Sequence, residues 1–64
     1  MNLKLKFRRI EKGLTQFQLA ELIGATNQTI SEYERGRVKP SYDNMKKISE
    51  ILDTPVGELF FDEK

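Results

Sequence analysis

A chain of 64 residues and 7.5 kDa allows one domain, residues 1–64, with too little buried volume for a large enzyme pocket. It contains no Cys and no His, which excludes disulfides, thiol chemistry, a thiolate zinc site and the commonest general base, and with no apolar run of about 18 residues it is expected in the cytoplasm, away from membranes. The net charge of +1 conceals a division: residues 1–40 carry eight basic and four acidic side chains (net +4), residues 41–64 three and six (net −3), and a basic front half suits a polyanion.

Gly13, Gly24, Gly36, Pro40 and Pro55 divide the chain into five short segments of helical character, and none alternates long enough for a strand. The first runs to about Glu11, with Gly13 placed as the left-handed residue that ends it. Its apolar residues lie on two faces: Leu3, Phe7 and Ile10 at i, i+4 and i+7, and Leu5 elsewhere. A helix apolar on two sides is either deeply wrapped or has a second partner. The second segment opens at Thr15 with Gln18 three residues on, the pattern of a capping box. Behind it Leu19, Ala20 and Ile23 share one side.

Gly24 follows, and the Thr26 hydroxyl can cap a third helix. There Ile30 and Tyr33 face inward, while Asn27, Gln28, Ser31 and Glu32 face outward. Gly36 closes this helix inside a loop, Arg35-Gly36-Arg37-Val38-Lys39, with three positive charges in five residues. Ser41 caps a fourth helix with Met45, Ile48, Ile51 and Leu52 on its apolar side. Thr54-Pro55 starts a short fifth, Pro being favoured at the first helical position, and it ends in Leu59, Phe60 and Phe61.

Two short helices joined by a tight turn containing Gly form a helix-turn-helix unit, here about residues 15–35. Close packing of the two helices needs a small residue, supplied by Ala20. The turn needs a residue that tolerates positive φ, supplied by Gly24, and the second helix needs an aliphatic anchor, supplied by Ile30. The stretch Leu14 to Gly36 (LTQFQLAELIGATNQTISEYERG) resembles the Cro/cI-type, or XRE, helix-turn-helix family of phage repressors and bacterial regulators. Arg9 before Gly13, Pro40-Ser41, and Leu52-Asp-Thr-Pro-Val-Gly-Glu-Leu59 extend the resemblance over residues 3–60.

The resemblance implies an all-α, five-helix, lambda-repressor-like DNA-binding domain that regulates transcription. It further implies a homodimer, acting as a repressor, on a near-palindromic operator of double-stranded DNA. Asp, Glu, Ser and Tyr are present but no motif groups them and there is no Gly-rich phosphate loop, so no enzyme activity, cofactor, metal or small-molecule ligand is expected. By the same resemblance the base contacts fall to Thr26, Asn27, Gln28 and Glu32, and the phosphate contacts to Thr15, Gln16, Arg35, Arg37 and Lys39. Arg9 and Glu34 match a family pair that forms a structural salt bridge. The chain stops just after the fifth helix, so a dimer interface is expected within it, at Val56, Leu59, Phe60 and Phe61. The alternative class is a protein-interaction module, such as the antitoxin of a toxin–antitoxin pair. Two residues depart from the family pattern. Phe17 replaces a polar residue and is expected to pack on the first helix, against Phe7, with a contact to a sugar as the alternative. Arg8 replaces an aliphatic one, which implies a small rotation of the first helix.

Overall fold

Four of the five helices begin where a side-chain oxygen takes an orphan backbone amide three residues on: Asn2, Thr15, Thr26 and Ser41 are the caps. The computed structural model describes residues 1–61, so the last three residues of the acidic half, 62–64, lie outside the description. The elements are α1 (Leu3–Glu11), α2 (Gln16–Ile23), α3 (Asn27–Arg35), α4 (Tyr42–Leu52) and α5 (Val56–Phe60), with no strand among the described residues. Pro55 is the cap of α5 rather than its first helical residue, and no side chain caps that helix.

Gly24 and Gly36, at φ +73° and +77°, end α2 and α3 in the left-handed region. The end of α4 is made the same way by Asp53 at φ +54°, the one non-glycine residue with positive φ among the described residues.

The core is a single cluster drawn from all five helices: Leu5, Leu19, Ala20, Ile23, Ile30, Tyr33, Ile48, Leu52 and Leu59. Leu5, Leu19, Ile30 and Ile48 are fully buried. At about 1.5–3 kcal/mol each, these four alone supply a sum comparable with the whole stability of a small domain. Leu59, expected in a dimer interface with Val56, Phe60 and Phe61, is 2% exposed and belongs to the core, which α5 closes. Phe17 and Phe7, which are expected to pack together, are 58% and 56% exposed.

On α1 it is Leu5 that turns inward, together with Arg9, while Leu3, Phe7 and Ile10 face water. Arg8 bonds Glu11 within α1 at 3.0 Å and approaches Glu58 of α5 at 3.5 Å. Those partners, the Glu11 hydrogen bond foremost, hold its guanidinium charged to still higher pH than usual. Its Nε is nevertheless buried without an acceptor. Asn2 clasps the start of the chain to two distant ends. Its backbone N–H donates to Glu34 O at 2.7 Å, and its Nδ2 donates to Leu59 O at 2.9 Å.

Candidate nucleic-acid interface

The α2–turn–α3 unit is built from local bonds that leave one edge of α3 outside. Thr15 Oγ1 accepts from Gln18 N–H at 3.0 Å, and Thr15 N–H donates to Gln18 Oε1 at 2.9 Å, which closes the capping box. At the other end of α2, Ala25 N–H reaches back to Ala20 O at 2.8 Å. That bond is made with Gly24 in the left-handed region, where a side chain would be strained. Thr26 Oγ1 then accepts from Thr29 N–H at 3.3 Å and starts α3 in a new direction.

Leu19, Ala20 and Ile23 of α2 meet Ile30 and Tyr33 of α3 in the core. With Ile30, Tyr33 and Glu34 buried, the helical period of about 100° per residue turns Gln28, Glu32 and Arg35 outward in one stripe. Asn27 and Ser31 border that stripe. Thr26, Asn27 and Gln28 are exposed, and Glu32 is half-buried.

A buried polar cluster fixes where α3 sits. Arg9 Nε meets Glu34 Oε2 at 2.5 Å, and Nη2 donates to Glu34 Oε1 at 3.3 Å. Arg9 Nη1 donates to Leu14 O at 2.8 Å. Gln16 Nε2 also donates to Glu34 Oε1, at 3.0 Å. One carboxylate therefore ties α1, the first residue of α2 and the end of α3 together, and both charges are more than nine-tenths buried. The amide of Gln16 is thus oriented from within the domain. Asn44 Nδ2 donates to Tyr33 Oη at 3.1 Å and joins α3 to α4.

The loop after α3 is open to solvent from Arg35 to Lys39. Arg37 N–H donates to Glu32 O at 3.0 Å, which sets the loop's first bend. Arg35 and Arg37 are exposed, whereas Lys39 holds its Nζ over the Phe61 ring, 4.8 Å from the centroid. Thr15 is exposed and Gln16 half-buried at the amino end of α2. The arrangement collects amide, hydroxyl and carboxylate groups on one helix edge, with cations and a helix amino terminus beside it. Those groups match the edges of bases and the phosphate backbone of a duplex. The bonds of Asn2, Gln16 and Asn44 have no local sequence signal, because their partners lie far away in the chain.

Residues 5–59 match the family model described as Helix-turn-helix. The chain belongs to this helix-turn-helix family. The family is one of DNA-binding domains rather than enzymes. An uncharacterized HTH-type transcriptional regulator of Sinorhizobium medicae (strain WSM419) is 36% identical over 59 residues, 92% of this chain and 42% of the relative. An uncharacterized HTH-type transcriptional regulator of Methanocaldococcus jannaschii is 35% identical over 60 residues, 94% of this chain and 91% of the relative. The cryptic phage CTXphi transcriptional repressor RstR of Vibrio cholerae is 30% identical over 59 residues, 92% of this chain and 53% of that protein. The helix-turn-helix chain thus spans less than half of its Sinorhizobium relative and nearly all of the archaeal one. Among its described residues, no helix is long and apolar enough to cross a membrane.

Proposed function

We propose that this helix-turn-helix chain is a sequence-specific transcriptional regulator, a repressor that binds a near-palindromic operator in double-stranded DNA as a homodimer. The observation that carries the reading is the outward edge of α3, where Asn27 and Gln28 are exposed and Glu32 half-exposed on the side away from Ile30 and Tyr33. In such units the second helix enters the major groove and the first crosses the backbone. Asn27 and Gln28 then offer bidentate bonds to adenine, Glu32 accepts from a cytosine amino group, and the Thr26 methyl meets a thymine methyl. Thr15, Gln16, Arg35 and Arg37 hold the phosphates, with Lys39 joining them once it leaves Phe61. The repressor role draws on the likeness to RstR, which is named as a repressor.

With Leu59 in the core, the surface that pairs the two copies is narrowed to Val56, Phe60 and Phe61 at the α5 end. Phe61 is the most exposed of them, and Phe60 partly packs against the core. Two recognition helices about 34 Å apart would read half-sites one helical turn apart. Selection of bound duplexes from a random pool by the purified chain tests the reading. The expected product is a two-fold symmetric motif with that spacing. A pool that stays random after repeated rounds would refute it.

A further inference from the structure

Gln16 serves two places at once. It opens α2 beside Thr15, half-buried, and its carboxamide nitrogen lies 3.0 Å from Oε1 of the buried Glu34 at the end of α3. A carboxylate paired with a guanidinium has only acceptors to offer. The carboxamide must therefore turn its NH₂ end to Glu34, because a flip would set two oxygens face to face. An NH₂ group carries two donors. Glu34 takes one, and the trigonal nitrogen aims the other away from the carboxylate.

A lone carboxylate in that place would repel a phosphate. Here Arg9 offsets it, with Nε and Nη2 on the two carboxylate oxygens and Nη1 on Leu14 O at 2.8 Å. Behind Gln16 the charges cancel, and Gln16 is left with one oriented donor. Ordering a flexible side chain at the moment of binding weakens association by about two- to tenfold. Glu34 orders Gln16 when the domain folds, so that cost is not met again on DNA.

We propose that Glu34 is a positioning residue for DNA binding: it holds the Gln16 carboxamide so that the second N–H meets a backbone phosphate, with Arg9 cancelling the charge behind it. The proposal rests on the reading of this edge as the DNA interface. Because Glu34→Gln loses much of the stability, the test uses Arg9→Met combined with Glu34→Leu, which removes the acceptor and both charges together. Parent, Gln16→Ala, this double variant and the triple variant are titrated by fluorescence anisotropy against the selected duplex and a scrambled one, at a temperature where melts show each folded. Gln16→Ala should weaken both duplexes about fivefold or more, since a phosphate contact carries no sequence. The double variant should weaken both about two- to tenfold, and the triple variant should be no weaker than Gln16→Ala. Every variant should share the parent's salt slope, because no charge contacting DNA has been removed.

A double variant that binds as the parent does would overturn the proposal. So would losses that multiply in the triple variant, which is the pattern of a merely structural pair. A shallower salt slope in the double variant would overturn it by making Arg9 itself the phosphate contact, and an unchanged affinity for Gln16→Ala would overturn it as well. A second measurement needs neither DNA nor a folded double variant. In the parent the two side-chain amide protons of Gln16 should resolve by NMR, with the one bonded to Glu34 exchanging more slowly with water; equal, fast exchange of both would overturn the proposal. If selection finds no preferred duplex, the reading of α3 fails, yet the same order of variants on any duplex would still support the phosphate contact. Binding to no duplex would overturn both.

Discussion

Replacing Glu34 by Gln keeps the shape of the side chain and removes the charge opposite Arg9. In the native domain the carboxylate receives two N–H groups from Arg9 and one from Gln16, at 94% burial. The variant leaves a buried guanidinium without a counter-charge and turns an NH₂ group toward donors that need an acceptor. Stranding one partner of a buried pair costs about 3–5 kcal/mol. The lower end applies here, because Arg9 keeps its bond to Leu14 O and the amide oxygen still accepts one N–H. A domain of this length has a total stability of roughly 3–10 kcal/mol at 0.05–0.15 per residue, so the loss is a large fraction of the whole. The assay is urea unfolding followed by far-UV circular dichroism. With a slope near ~1 kcal/mol/M for so small a protein, a loss of about 3 kcal/mol lowers the midpoint by about 3 M. Arg9→Met combined with Glu34→Leu removes both charges and should be closer to the parent than Glu34→Gln is. A midpoint shift under about 0.5 M for Glu34→Gln, or a double variant as unstable as the two singles added, would refute the assignment of this cluster as the tie between α1 and α3.

Gly24→Ala meets no atom within 4 Å and should lose only the left-handed backbone penalty, about 1–2 kcal/mol. Gly36→Ala should lose more, since its new methyl would stand 3.2 Å from the Met1 nitrogen; thermal melts of the pair check the order. Asp53→Asn should raise stability by about 0.5 kcal/mol, because Asn tolerates the left-handed region as Asp does and removes a negative charge from the carboxyl end of α4. A lower melting temperature than the parent's would contradict that. Arg37→Ala should weaken selected and random DNA alike and reduce the salt slope by about 0.9, measured by anisotropy over a salt series.

Local chemistry was readable along the chain, and long-range chemistry was not. Thr15 with Gln18, and Gly24 before Thr26, specify their bonds within five residues, so the ends of α2 and the start of α3 follow from the sequence. α1 was ambiguous because two apolar stripes satisfy the same period. The choice falls to Arg9, which shares the face of Leu5 and needs Glu34, so that face turns inward and Leu3, Phe7 and Ile10 turn out. The five residues of α5 give too little period to show which of Leu59, Phe60 and Phe61 closes the core. Asn2 bonding Leu59 O across 57 positions, and Gln16 bonding Glu34 across 18, depend on the assembled fold.

The central claim is that the exposed edge of α3 distinguishes one base pair from another. Parent and Gln28→Ala should be titrated at fixed salt against the selected duplex and against a scrambled one. Gln28→Ala is expected to lose about 1–3 kcal/mol on the selected duplex alone, with the loss confined to one base-pair position when that pair is varied. An equal loss on both duplexes, or none on either, would contradict it.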